Sequence, residues 1–244
     1  MAYRHEEIKP YNSNGEKSGQ VEEMFNNIAH EYDRFNYLAS MNIDRIWRRR
    51  AISSLKPYAP QRVLDIATGT GDLALLIHRI LHPKTLVGCD ISEGMMDVAR
   101  EKCLRKGITD IRFDKEDCTA LSYPNESFDA VTSSFGVRNF QELDKALAEM
   151  YRVLCKGGHL VILELSSPVK FPMKQLFPFY ARYIMPTLGR IFSKDTKAYK
   201  YLPESMAAFP QGEVMKDILE KTGFSKVEFH RFTGGICTLY IAEK

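Results

Sequence analysis

The sequence predicts an α/β protein with a Rossmann-like, doubly wound sheet of seven strands whose last strand is antiparallel. Three observations predict it. Strand and helix signals alternate from Val63 to Ala242. A glycine turn, Gly69-Thr70-Gly71, joins an apolar strand end to an apolar-rich helix. Near the end, two strand-like runs are joined only by Thr233-Gly234-Gly235, a link too short for a parallel crossover. A chain of 244 residues, 44% of them hydrophobic, is long enough to bury one large core. A single domain over 21–244 is therefore expected, with an N-terminal helical region over 21–58 and an insertion over about 166–212. Met1 to Gln20 is polar and charged, has no apolar signal-peptide core, and reads as a loose arm that orders on contact. No run of 18 apolar residues is present, so no membrane span is expected.

Each element has a local reason. Val63 and Leu64 end the first buried strand, and Leu73 to Leu81 follow as a helix stopped before Pro83. Leu86 to Cys89 form the second strand, with Asp90 at its carboxyl end. Ser92 caps a helix running to about Lys106, and Gly107 stands where a C′ glycine belongs. Ile111 to Phe113 make the third strand, and Asp117 and Cys118 fall in the loop beyond it. Phe128 to Ser134 make the fourth, Leu143 to Leu154 a helix, Gly157-Gly158 a turn, and His159 to Leu165 the fifth strand. Glu213 to Thr222 form a helix ended by Gly223, and Val227 to Phe232 with Ile236 to Ala242 form the antiparallel hairpin. Ligands of an open parallel sheet bind outside the carboxyl ends of its strands, so Gly69, Asp90, Asp117 and Ser134 should line one crevice.

The chemistry of that crevice follows from its acids. Asp90, 18 residues after Asp72, is placed to accept both hydroxyls of a ribose. Gly69 to Ala74 also fits the loose dinucleotide pattern, in which a pyrophosphate sits on the helix N-terminus. Asp72 opposes that, because a carboxylate in the first turn repels a phosphate. S-adenosylmethionine has no phosphate, and its sulfonium and ammonium suit a pocket flanked by Asp65 and Asp72. The methyl donor is preferred to NAD on these grounds, with simple helix capping by Asp72 compatible with either. Five widely spaced cysteines without a C-x-x-C pair fit a reducing cytoplasm better than a disulfide framework. The six histidines show no metal-ligand spacing, so no metal site is assigned.

Beyond the glycine turn, several stretches carry a specific resemblance. Tyr32-Asp33-Arg34-Phe35-Asn36, Ser40 and Trp47 are similar to the first signature of the quinone C-methyltransferases that act on demethylmenaquinone or the ubiquinone benzoquinol precursor, with Phe35 in place of Met and Asp44 in place of His. Arg152-Val153-Leu154, Gly157-Gly158 and Glu164-Leu165-Ser166 resemble the second. Ser134-Phe135-Gly136-Val137-Arg138-Asn139 and Phe232-Thr233-Gly234-Gly235 resemble two further stretches. The resemblance runs from about Val21 to the C-terminus. It implies a class I S-adenosylmethionine-dependent methyltransferase fold, with donor contacts at Thr70, Asp90, Asp117, Cys118 and Ser134, beside Asp65, Gly69 and Gly71 of the turn. The Asp44 replacement puts a role for the usual His in doubt.

Methylating a ring carbon requires an activated ring. A quinol hydroxyl with a pKa of about 10 is ionised in roughly one molecule per thousand at pH 7, a shortfall of about 4 kcal/mol. Arg138 is expected to hydrogen-bond the developing phenolate or to orient a water that takes the proton, and Asn139 to hold the second oxygen. The competing reading pairs Arg138 with Glu142 at i+4. Tyr32 is expected either to cover donor or substrate, gaining cation–π attraction to the sulfonium, or only to fasten the N-terminal helix together with Asp33. Trp47 is expected to pack.

Ser166 to Tyr201 carries seven basic residues against one acid, a charge of +6 in a chain of net +3. Aromatic and aliphatic residues lie between those charges, a composition suited to an anionic membrane surface where a polyprenyl quinol is reached. The other reading is a folded lid with its own core and a solvated outer face. The expected substrate is demethylmenaquinol, with the benzoquinol of ubiquinone synthesis as the alternative. An NAD-dependent oxidoreductase and a catalytically silent scaffold are the competing classes. The expected location is cytoplasmic, at the inner face of the cell membrane, and a homodimer is one assembly the sequence allows. Nucleic acid is not an expected partner, since beyond Trp47-Arg48-Arg49-Arg50 no second basic patch occurs.

Overall fold

The computed structural model describes residues 3–11, 14–184, 187 and 196–244. Its centre is one seven-stranded sheet: β1 (Arg62–Ile66), β2 (Thr85–Asp90), β3 (Ile111–Lys115), β4 (Phe128–Ser134), β5 (Leu154–Leu165), β6 (Ser225–Phe232) and β7 (Cys237–Glu243). The order is β3-β2-β1-β4-β5-β7-β6, so the chain reverses direction across the sheet between β1 and β4. β1 to β5 are parallel, and β7 pairs antiparallel with both β5 and β6. The last strand therefore lies inside the sheet, because the hairpin through Thr233–Gly235 puts β6 at the outer edge. β5 begins at Leu154, where the sequence suggested the end of a helix, and it carries Gly157 and Gly158 in its first residues.

Helices cover both faces, as buried parallel strands require. On one side α2 (Ile43–Ser53) and α3 (Asp72–Leu81) bury Ile52, Leu73 and Ile77, with Leu55 just beyond α2, against Val63 and Leu86. On the other, α5 (Leu143–Val153) buries Leu147 and Met150 with Leu64, Val131 and Tyr240. α8 (Glu213–Thr222) adds Met215 and Leu219 to that cluster. Leu147 and Met150 are fully buried, so truncating either to alanine costs about 2–5 kcal/mol. α4 (Glu93–Arg105) starts at Ser92, whose Oγ accepts the Met95 N–H at 3.2 Å, as expected.

Two glycines set the close approaches. Gly71, at φ 78°, is the N-cap of α3, and a Cβ there would stand 2.8 Å from Ala99 Cβ. Gly136, after β4, is packed so tightly on Ala67 that any side chain would collide with it.

The N-terminus differs from the loose arm expected over Met1–Gln20. α1 (Lys17–Ser40) starts inside that stretch, and the described residues before it pack on the domain. Tyr3 Oη donates to Asp144 at 2.7 Å, and Glu6 accepts the Leu143 N–H at 2.7 Å. The Lys17 ammonium is buried and donates to the carbonyls of His5, Arg138 and Phe140. Polar residues read as solvated are instead partners for the exposed start of α5 and for the carbonyls of the turn after β4.

In the insertion, α6 (Met173–Phe179) continues into a π-helical turn, Tyr180–Ile184, and α7 (Thr196–Ala208) returns to the domain. Met185, Leu188, Arg190, Ile191, Phe192, Lys194 and Asp195 lie outside the described residues, as do the side chains of Arg182, Lys197 and Lys200. No helix among the described residues is long and apolar enough to cross a membrane.

Candidate active site

The carboxyl ends of β1, β2 and β4, with the loop after β3, enclose a cavity of about 220 Å³ at the point where the strand order reverses. Gly69, Asp90, Asp117 and Ser134 line it together, as expected of residues at strand ends, and Cys118 lines it beside them. Asp90 Oδ2 accepts the Gly69 N–H at 2.8 Å and Oδ1 the Ser92 N–H at 2.9 Å. The carboxylate keeps acceptor capacity beyond these backbone donors, which a ribose hydroxyl can use. Burial pushes the Asp90 carboxyl pKa up, and its backbone N–H donors pull it back. Asp117 spends Oδ1 on the N–H and hydroxyl of Thr119, both at 2.8 Å. Ile91, Met95 and Cys118 give the same cavity an apolar slot. An apolar slot beside a carboxylate with spare acceptors is a surface that fits an adenosine.

Four expected donor residues stand elsewhere. The Thr70 hydroxyl donates to Asp33 Oδ1 at 2.6 Å and so fastens α1 to the glycine turn. Gly71 shapes the turn without lining the cavity. Asp65 lies buried beneath it, accepting from Thr68 at 2.7 Å and Thr132 at 2.8 Å. Burial without a counter-ion in contact pushes the Asp65 pKa up to about 7. Asp72 does not flank the cavity either: its carboxylate is taken by Lys102 at 2.7 Å and Tyr37 at 3.2 Å, with Arg48 at 3.9 Å. The pocket flanked by Asp65 and Asp72 is thus not formed, because nearer cations and hydroxyls satisfy both acids.

A second cavity of about 320 Å³ abuts the first, between α1, α2, α6, α7 and the turn after β4. Its wall is mostly apolar, with Met24, Ile28, Phe35, Phe177 and Met206 among its residues. Phe25, Tyr32, Phe135 and Asn139 line both cavities and form the partition between them. Phe135 holds φ 60°, a strained value for an aromatic residue, fixed by its N–H to Leu163 O at 2.8 Å.

Four buried polar atoms in residues lining the larger cavity have no hydrogen-bond partner: Arg48 Nε, Arg138 Nε, Asn139 Oδ1 and Tyr201 Oη. Such atoms are rare in a folded interior unless a ligand completes them. Arg138 is anchored across the sheet. Its Nη1 donates to Glu164 Oε1 at 2.8 Å and to Phe135 O, and its backbone N–H donates to Glu164 Oε2 at 3.1 Å. Pairing with Glu142 is not found; that acid binds Lys145 at 2.6 Å. Tyr32 is partly buried, and desolvation raises its pKa, while Arg138 and Arg48 act to lower it. Trp47 packs, and its Nε1 also donates to Thr233 Oγ1 at 2.9 Å.

Sequence reasoning missed Arg48, Asp44, Glu164 and Tyr201. Arg48 was read as part of a basic run, whereas it is 7% exposed at the side chain and bound to Asp44. Asp44, which stands at the His position of the signature, accepts from Ser40 Oγ at 2.6 Å and from Arg48. The helical i+4 spacing of those two was a usable signal. Tyr201 comes from a distant segment and left none.

Known proteins match this chain over nearly its whole length. The model of the ubiE/COQ5 methyltransferase family matches residues 13–244. The chain is 57% identical over 245 aligned residues to the demethylmenaquinone methyltransferase of Bacteroides fragilis, covering all of both chains. It is 46% identical to that of Porphyromonas gingivalis, covering 98% of each. Among solved structures, an S-adenosylmethionine-dependent methyltransferase of Thermotoga maritima, described as a possible histamine N-methyltransferase, superposes with a TM-score of 0.65. That likeness, at 21% identity over 91% of this chain and 98% of the other, is one of fold.

Proposed function

This chain belongs to the ubiE/COQ5 methyltransferase family, and from that premise we propose that it methylates the ring carbon of demethylmenaquinol. It is an S-adenosylmethionine-dependent methyltransferase, and the dinucleotide oxidoreductase reading has no support. The observation that carries the substrate assignment is the partition: a nucleoside-sized cavity and an apolar cavity with unpartnered polar atoms share Phe25, Tyr32, Phe135 and Asn139. One pocket suits the donor and the other an aromatic acceptor, with the reacting atoms meeting between them.

The residues divide the work. When bound, S-adenosylmethionine supplies a methyl group on a cationic sulfur. Asp90 would hold the ribose, Asp117, Cys118 and Ser134 would bound the adenosine, and Tyr32, which lines both cavities, would stand near the positive charge. Arg138 offers its free Nε–H to the ring oxygen as negative charge builds on it, and Asn139 holds the ring through Oδ1. Glu164 fixes the guanidinium, so no reorganisation is needed as the charge develops. The apolar walls keep bulk water from the ring, which would strengthen that hydrogen bond, and their shape would limit how the ring sits beside the donor. The hydroxyl proton leaves as the phenolate forms, the displaced ring proton leaves as aromaticity returns, and the ring oxygen takes one proton back, so each methyl transfer releases one proton in all.

The mouth of the larger cavity suits a membrane-held substrate. Met41 and Leu176 line the cavity yet are largely exposed, and Phe171 in the same insertion is 82% exposed. Lys170 and Lys174 stand beside them. This rim lies on the anionic inner face of the cell membrane and admits the ring while the isoprenoid tail stays in lipid.

The deciding experiment is transfer of radiolabelled methyl from S-adenosylmethionine to reduced demethylmenaquinone in anaerobic lipid vesicles, with the benzoquinol precursor in parallel. Labelled menaquinol is the expected product. Exclusive labelling of the benzoquinol would move the assignment to ubiquinone synthesis, and labelling of neither would refute the quinol reading.

A further inference from the structure

Two cations face the acceptor cavity, and the chemistry described so far uses one. Arg48 reaches it from α2, with Nη1 held by Asp44 and Nε without a partner. Its guanidinium carbon lies 4.9 Å from the centre of the Phe135 ring, in the partition. Arg138 is tied to the carbonyl of that same Phe135. The two guanidiniums therefore flank one residue, each paired with a buried carboxylate through Nη1 and each with an Nε–H that has no partner. Asp44 is itself buried and takes the Ser40 hydroxyl as well, so its placement of Arg48 is fixed. A buried donor left unpaired lowers stability, and retaining two of them in residues that line one apolar cavity is intelligible when a ligand completes both.

We infer that Arg48, held by Asp44, is a second acceptor-binding residue that donates to the ring oxygen Arg138 does not reach, making the cavity selective for aromatic rings bearing two oxygens. The inference rests on the acceptor reading given above and adds a requirement to it. A ring with one hydroxyl satisfies Arg138 alone and strands the Arg48 Nε–H. A 1,4-dihydroxy ring satisfies both guanidiniums, and its remaining O–H meets Asn139 Oδ1 or Tyr201 Oη.

The chain contains a single tryptophan, Trp47, and it lines this cavity, so its emission reports acceptor binding without turnover. Under anaerobic reducing conditions, 1,4-dihydroxynaphthalene and 1-naphthol are titrated against the full chain. Wild type is expected to bind the diol at least tenfold more tightly. The double variant Arg48→Met/Asp44→Asn removes the charge pair together, leaving no stranded carboxylate, and should bring the two affinities within about twofold while 1-naphthol binding holds. Arg48→Lys keeps an ion pair with Asp44 but lacks the Nε–H, and it should lose the preference as well. Donor affinity, measured by calorimetry, should stay within twofold throughout. Should both variants retain the diol preference, or weaken both probes equally, Arg48 serves only Asp44 and the inference fails. Binding of 1-naphthol with no diol preference in wild type also overturns it, yet leaves the Arg138 reading standing; binding of neither probe defeats that reading too.

Discussion

Arg138 can be tested by what its loss does at different pH values. Its partner Glu164 is 1% exposed, so Arg138→Met alone would strand a buried carboxylate and destabilise the fold by about 3–5 kcal/mol. The informative variant is Arg138→Met/Glu164→Gln, which keeps the site neutral. At pH 7 the uncatalysed shortfall in phenolate is about 4 kcal/mol. One preorganised donor in a dry site supplies about 2.7–4 kcal/mol of it, so turnover should fall by about 100- to 1000-fold. Raising the pH ionises the acceptor itself, about tenfold more per unit below its pKa of about 10. The deficit should therefore shrink from pH 7 to pH 9, while donor affinity stays within twofold because Arg138 does not line the donor cavity. Anaerobic methyl-transfer rates at saturating acceptor and calorimetric donor titrations supply both numbers. A deficit that stays constant across that pH range, or a parallel loss of donor binding, refutes the phenolate role.

Further outcomes follow from particular contacts. Asp90→Ala should raise the donor dissociation constant at least tenfold, about 1.4 kcal/mol, in the same calorimetric titration, and unchanged affinity would remove Asp90 from the ribose site. Gly71→Ala should destabilise the protein by more than about 2 kcal/mol in denaturant melts, since φ 78° and the crowding by Ala99 both oppose a methyl group. His5 is buried with both ring nitrogens unpartnered, and burial lowers its pKa to about 3. Between that value and about 6.5 the unfolded chain takes up a proton that the folded chain does not, so stability falls as pH falls. From pH 7 to pH 5 wild type should lose about 2 kcal/mol more than His5→Leu, measured by urea unfolding; equal losses would show that His5 does not titrate on unfolding. Met41→Ser/Phe171→Ser/Leu176→Ser should reduce sedimentation with anionic vesicles severalfold without altering donor binding, and full retention would remove that rim from the membrane contact.

The local signals in this chain were enough for its scaffold. Alternating apolar runs, the Gly69–Gly71 turn and the Thr233–Gly235 link depend on neighbours within a few residues, so strand count, the crevice at the strand ends and the antiparallel hairpin were all legible. The same logic brought Gly69, Asp90, Asp117 and Ser134 to one crevice, because topology alone carries strand ends to one rim. What tertiary structure decided was how each charge is spent. Asp65 and Asp72 look like pocket acids in sequence, yet Thr68 and Thr132 take one, and Lys102 with Tyr37 the other. Arg138 answers to Glu164, 26 residues on, rather than to the neighbour four positions away. The Lys17 ammonium closes on carbonyls more than a hundred residues distant. A charge buried at low dielectric must find whichever partner the folded chain brings nearest, and that nearest partner is set by packing between segments, which no local pattern encodes.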